Sequence, residues 1–159
     1  MKFFYSIGIF LLCLNSLTAQ RDIEGLWEGT ITFGGIHSED TYKFQLYLQT
    51  QGKKITGKSL IYLTQTETIE MDVSGSMYGD RSVYLEEFNF IPVAGYKNEE
   101  QAEEASPFPF YRKYQFLHNR SIWESKLEGY WQEIINEPFD PYRERGRITL
   151  KRVEKRAKP

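Results

Sequence analysis

From residue 23 onward the chain alternates apolar and polar side chains with a period of two, segment after segment. No stretch sustains the 3.6-residue spacing of an amphipathic helix. Ile23, Gly25, Trp27, Gly29, Ile31 and Phe33 fall on one face of a first strand. Tyr42, Phe44, Leu46 and Leu48 fall on one face of a second, with Lys43, Gln45 and Gln49 opposite. The same reading gives inward faces Ile55-Gly57-Ser59-Ile61-Leu63, Ile69-Met71-Val73-Gly75-Met77 and Trp123-Ser125-Leu127-Gly129-Trp131. Eight strands are predicted, near 24–34, 41–50, 54–63, 67–78, 82–91, 111–118, 121–132 and 145–153.

The connections alternate in character. Gln51-Gly52-Lys53, Gly79-Asp80-Arg81 and His118-Asn119-Arg120 are short, polar and suited to hairpins. The others are Gly34 to Asp40, the short Thr64 to Thr66, Pro92 to Phe110 and Glu133 to Glu144. In an up-and-down meander, alternate connections fall at opposite ends. The expected fold is therefore all-β, an eight-stranded antiparallel up-and-down barrel with one plain end and one elaborated mouth. The connection at about 92–110 is acidic first and then reads Ser106-Pro107-Phe108-Pro109-Phe110, and a loop of that length is usually functional or disordered.

Glycine recurs on the apolar faces, in Ile55-Thr56-Gly57, Val73-Ser74-Gly75 and Leu127-Glu128-Gly129, and at Gly25 and Gly29 in the first strand. Mid-strand glycine costs backbone entropy and packing, so its repetition needs a cause. Tight coiling round a small barrel is one cause, and room left for a ligand is the other.

Residues 1–19 read as a signal peptide: Lys2 gives the positive start, Phe3 to Leu14 the apolar core, and Leu17-Thr18-Ala19 a small-residue exit before Gln20. Residues 20–159 are then expected to form one exported domain, periplasmic or extracellular, with no transmembrane segment in the mature chain. The one cysteine, Cys13, lies in the leader, so disulfides, thiolate metal sites and a cysteine nucleophile drop out. The formal charge of −2 becomes −3 without Lys2, which supplies no electrostatic reason for a nucleic-acid partner. The basic stretch from Lys151 to Lys158 reads as the solvated end of the last strand.

Gly25-Leu26-Trp27 at the start of the first strand resembles the Gly-x-Trp of lipocalins, and the meander as a whole resembles the calycin group of eight-stranded barrels. That resemblance implies a lipocalin-like barrel in which a basic residue of the last strand, here Arg147 or Arg152, packs over the tryptophan at the closed end. The chain departs from the family at His118-Asn119-Arg120, where many lipocalins carry Thr-Asp-Tyr, and it lacks their disulfide. No ligand specificity is carried across.

Sought chemistry is mostly missing. His37 and His118 fall at opposite ends of the predicted barrel, each expected as an exposed loop residue, so no metal site is expected. Neither His-Glu-x-x-His nor Gly-x-Ser-x-Gly occurs. No cofactor is implied. In the fifth strand the apolar parity changes across Glu86-Glu87, which suggests a bulge there and one inward glutamate. A carboxylate in an apolar lumen needs a partner, for which Arg112 or Arg152 would serve. Glu86, Glu87 and Arg112 are thus candidate polar anchors, or else an ordinary buried ion pair or an exposed bulge.

Phe108, Phe110, Phe139 and Tyr142 stand at the expected mouth, stiffened by prolines at 107, 109, 138 and 141. Trp27, Phe44, Met71, Met77, Trp123 and Trp131 are the expected lumen walls. The functional expectation is a secreted or periplasmic barrel, not an enzyme, that binds a small apolar or amphipathic molecule. Two alternatives stay open. One is a structural or envelope-interaction protein with a filled barrel, whose long loops meet a protein or glycan. The other is an enzyme using Glu86 or Glu87.

Overall fold

The computed structural model describes residues 23–91, 110–135 and 140–153. Residues 1–22, Phe108, Phe139 and most of the long connection lie outside the described residues. Eight antiparallel strands follow the chain: β1 (Gly25–Thr32), β2 (Thr41–Gln51), β3 (Lys54–Tyr62), β4 (Thr68–Met77), β5 (Ser82–Ile91), β6 (Arg112–Arg120), β7 (Ser125–Glu133) and β8 (Arg145–Arg152). Each pairs with the next, and β8 returns to β1 to close an up-and-down barrel. No helix occurs among the described residues, and so none long and apolar enough to cross a membrane. Both ends of the described chain and the β2–β3, β4–β5 and β6–β7 turns lie at one end, the plain end. The β1–β2 and β3–β4 connections, and the strand ends that lead into 92–109 and 136–139, lie at the other end, the mouth end.

The period-two pattern works because paired residues of neighbouring strands share a face. Trp27 pairs with Leu46, Phe44 with Ile61, Ser59 with Met71, and Tyr114 with Trp131. These side chains form one interior in which Trp27, Phe44, Leu46, Leu48, Ile61, Val73, Leu85 and Tyr114 are fully buried. With no disulfide among the described residues, burial of this apolar surface at about 25 cal/mol per Å² is the main favourable term.

The glycines resolve to curvature. A Cβ on Gly29, Gly57, Gly75 or Gly129 would stand 1.9 Å from a main-chain carbonyl oxygen of the adjacent strand, that of Thr149, Tyr47, Tyr84 or Gln115 respectively. The volume a side chain would fill is thus taken by the neighbouring backbone, which coils across it, and is not lumen space. Gly146 in β8 belongs to the same set, facing Thr32 O at 1.9 Å. It leaves room for the Trp131 indole, whose Nε1 donates to Thr32 O at 2.8 Å.

Three local expectations are corrected. β6 runs on through His118 to Arg120, and the hairpin turn is Ser121 to Glu124 instead. The Ser121 hydroxyl accepts from the amides of Trp123 and Glu124, and the Ser121 amide donates to Glu124 O at 2.9 Å, a side-chain-braced turn that breaks the alternation. His118, expected in a loop, is 4% exposed and meets Trp27 edge-on at 5.7 Å between ring centroids. The bulge in β5 is at Asn89, with φ of 67°, not at Glu86-Glu87: Met71 pairs with Phe90 while Asp72 pairs with Phe88.

At the plain end, the Trp27 Nε1 donates to Ile23 O at 2.8 Å. Arg152 pairs with Trp27 in register and donates from Nη2 to Glu24 O at 2.6 Å, beside Gly25, while Arg147 is exposed. Of the two arginines, Arg152 is the one at the tryptophan.

Candidate functional site

The site grows from a parting of two strands. The β5–β6 ladder runs from Ser82↔Leu117 to Glu86↔Lys113 and stops, whereas β5 continues along β4 to Ile91. The Asn89 bulge bends β5 at that point, and a bulge of this kind increases local twist. Toward the mouth the wall therefore splits between β5 and β6. Alternation from Val83 and Leu85 carries Glu87 inward just before the split, and alternation from Tyr114 carries Arg112 inward on the other side. Glu86 points out, 2.7 Å from the Tyr84 hydroxyl that donates to it. Tyr84 is pushed up to about 12, first by desolvation and then by that hydrogen bond.

Inside, Glu87 collects four contacts. Its Oε1 accepts from Ser59 Oγ at 2.8 Å and from the Tyr114 hydroxyl. Its Oε2 accepts the Arg112 main-chain N–H at 2.9 Å, replacing the ladder bond lost where the strands part, and lies 2.9 Å from Arg112 Nε. A carboxylate offers about four lone-pair sites, so Glu87 is saturated. Both side chains of the pair are 0% exposed.

Arg112 is not saturated. Its Nε is near Oε2 without a well-directed N–H, and neither Nε, Nη1 nor Nη2 has a hydrogen-bond acceptor among the described residues. The guanidinium sits 5.6 Å above the Phe110 ring, and that ring stacks on Trp131 at 5.9 Å between centroids. Burial works against the charge of Arg112, but the Glu87 carboxylate and the Tyr114 hydroxyl outweigh it, so the guanidinium stays protonated with its pKa raised. Tyr114 is held well above the ordinary tyrosine range by burial first and by the Glu87 carboxylate second. It serves as a neutral donor. The cluster thus joins a satisfied anion to a cation with donors to spare, at the depth where the β5–β6 ladder ends.

Of the expected lumen walls, Trp27, Phe44, Met71 and Trp131 are buried inside and Met77 is half-buried against the core. Trp123 is corrected: it is 89% exposed at the tip of the β6–β7 turn, because β7 begins only at Ser125. Phe110 is half-buried over the interior, and Tyr142 is exposed on the β7–β8 connection. Sequence reasoning overlooked Ser59 as a donor and Tyr114 altogether. The signals were a serine within an otherwise apolar inward face and the strict alternation Arg112, Tyr114, Phe116, His118. Among the described residues no group of three His, Cys, Asp or Glu side chains could hold a metal ion.

Comparison with known protein families finds no model that matches this chain, and comparison with curated proteins finds no match either. The fold itself defines the class: an eight-stranded closed antiparallel barrel, consistent with a calycin-like fold.

Proposed function

We propose that this chain is an exported binding barrel for a small amphipathic molecule whose polar head accepts hydrogen bonds from Arg112. The observation that carries the reading is a guanidinium wholly removed from water, with no aligned acceptor among the described residues, at the point where β5 and β6 part. A buried arginine left with unused donors forfeits several kcal/mol of solvation, and an oxygen-bearing head would restore it. Phe110 and the Trp131 ring stacked on it supply apolar surface near that cation for the rest of such a molecule. The leader-like residues 1–19 support export.

The test is a titration with dodecanoate and with dodecanol, followed by tryptophan emission and calorimetry. Dodecanoate is expected to bind one to one, at least about tenfold tighter than the alcohol, a 1.4 kcal/mol preference. The Glu87→Gln/Arg112→Met double variant, which removes both charges together, is expected to lose that preference. Absence of binding, or a preference surviving in the double variant, would overturn the reading.

The filled-barrel alternative has its own supporting observation. Phe44, Tyr114 and Phe116 form a run of rings, each 5.8 Å from the next. Under that reading neither probe binds, and the double variant is at least as stable as the parent, since buried ion pairs often gain nothing over apolar packing.

A further inference from the structure

The Ser121 to Glu124 turn carries Ile122 at 93% and Trp123 at 89% exposure, the two most exposed large apolar side chains among the described residues. Exposure of this kind on a mobile tip would mean little, but this tip is fixed by the Ser121 brace described above. Behind it, Glu124 sits between Lys126 at 2.9 Å and Lys151 at 2.7 Å, placing two lysines at the base of the tryptophan. Tyr78, 56% exposed, flanks the neighbouring β4–β5 turn, which is tied to β6 through the His118 amide donating to Arg81 O.

The charge around these aromatics is one-sided. Lys53, Lys54, Arg81, Arg120, Lys126, Lys151 and Arg152 lie toward the plain end against Glu24, Glu28, Asp80, Glu124 and Glu128. Toward the mouth end the balance is reversed, with Glu39, Asp40, Glu67, Glu133, Asp140 and Glu144 against Lys43, Lys113, Arg143 and Arg145. Among the described residues the two ends of the barrel therefore carry opposite net charge, a modest dipole along its axis. A Trp and an Ile on a rigid point, ringed by lysine and arginine, match a surface that is apolar beneath and anionic above. Tryptophan settles at such boundaries because its ring is apolar and its N–H is polar, and cations near an anionic bilayer add attraction that salt removes.

We infer that the plain end docks on an anionic lipid surface, with Ile122 and Trp123 entering the headgroup region and the mouth turned to the aqueous side. The inference does not depend on what the interior holds.

The full chain is mixed with vesicles of phosphatidylcholine alone or of phosphatidylcholine and phosphatidylglycerol at three to one, some carrying brominated acyl chains. Residues 1–19 contain no tryptophan, and Trp27 and Trp131 are buried, so bromine quenching reads Trp123. Binding to the anionic vesicles is expected to be at least about tenfold tighter than to neutral ones, and to collapse at 0.5 M salt, where the screening length shrinks to a few ångströms. Ile122→Ser/Trp123→Ser is expected to weaken binding at least about tenfold with an unchanged melting temperature, since neither side chain is in the core. It carries the same first 19 residues as the parent, so the difference reads the tip. Unquenched emission on anionic vesicles, or a double variant that binds as the parent does, would overturn the inference; so would equal binding to neutral vesicles.

Discussion

Glu87 Oε2 stands 2.9 Å from Arg112 Nε with both side chains buried, and the same oxygen accepts the Arg112 amide. One carboxylate thus neutralises a cation and closes a gap in the main-chain bonding at the place where β5 leaves β6. Two structural roles coincide in it.

Because each member leaves a buried charge behind when the other is removed, Glu87→Gln and Arg112→Met should each cost about 3–5 kcal/mol. The double variant should cost less than the sum by at least about 2 kcal/mol. Urea unfolding of the four proteins measures this coupling, and additive effects would mean the two groups do not depend on each other.

Curvature supplied by glycine has a sharp signature. Gly129→Ala places a methyl against the Gln115 carbonyl and should lose at least about 2–3 kcal/mol. Gly79→Ala, with nothing within 4 Å and in a turn, should stay within about 0.5 kcal/mol of the parent. Thermal melts of the pair decide it; equal melting would refute the coiling explanation.

Alkaline pH should weaken the fold through Tyr114. In the unfolded chain tyrosine ionises near pH 10, but in the barrel burial, followed by the Glu87 carboxylate, raises its pKa well above that. Its contribution is intact below about pH 10 and declines above it, as the unfolded chain releases a proton that the folded chain retains. Tyr84, raised to about 12, adds to the same limb. Tyr114→Phe should be less stable than the parent at pH 8, having lost a hydrogen bond to a carboxylate worth about 1.5–3 kcal/mol. It should also lose less between pH 9 and 11. Denaturation at these pH values tests both statements.

Two tryptophans expected on the same inward wall should now behave oppositely. Trp27→Ala removes a buried ring and its bond to Ile23 O, and should cost about 3–5 kcal/mol. Trp123→Ala should change stability by no more than about 0.5 kcal/mol. Chemical denaturation of the two variants separates them.

The contrast between those residues shows what was legible. Strand alternation around Trp27, Phe44, Met71 and Trp131 is set by local chemistry, since one side of each strand must be apolar, and it placed these residues inside. The glycine faces were visible for the same reason. Trp123 was not, because Ser121 interrupts the alternation through a side-chain turn that an apolar count ignores. Parity also located a disturbance in β5 but put it two or three residues early. Glu87 was expected as one of two possible inward glutamates, and only the register shift at Asn89 selects it over Glu86. The cluster itself joins β3, β5 and β6, and contacts between strands so distant in sequence leave no spacing to read.

The most direct test of a barrel built to hold an amphiphile at Arg112 is native mass spectrometry of the protein isolated from the cells that make it, followed by extraction and identification of whatever is bound. The expected result is one small molecule per chain with an oxygen-bearing head, absent from Glu87→Gln/Arg112→Met purified in the same way. A parent protein at its apo mass, or the same bound molecule on both proteins, would contradict it.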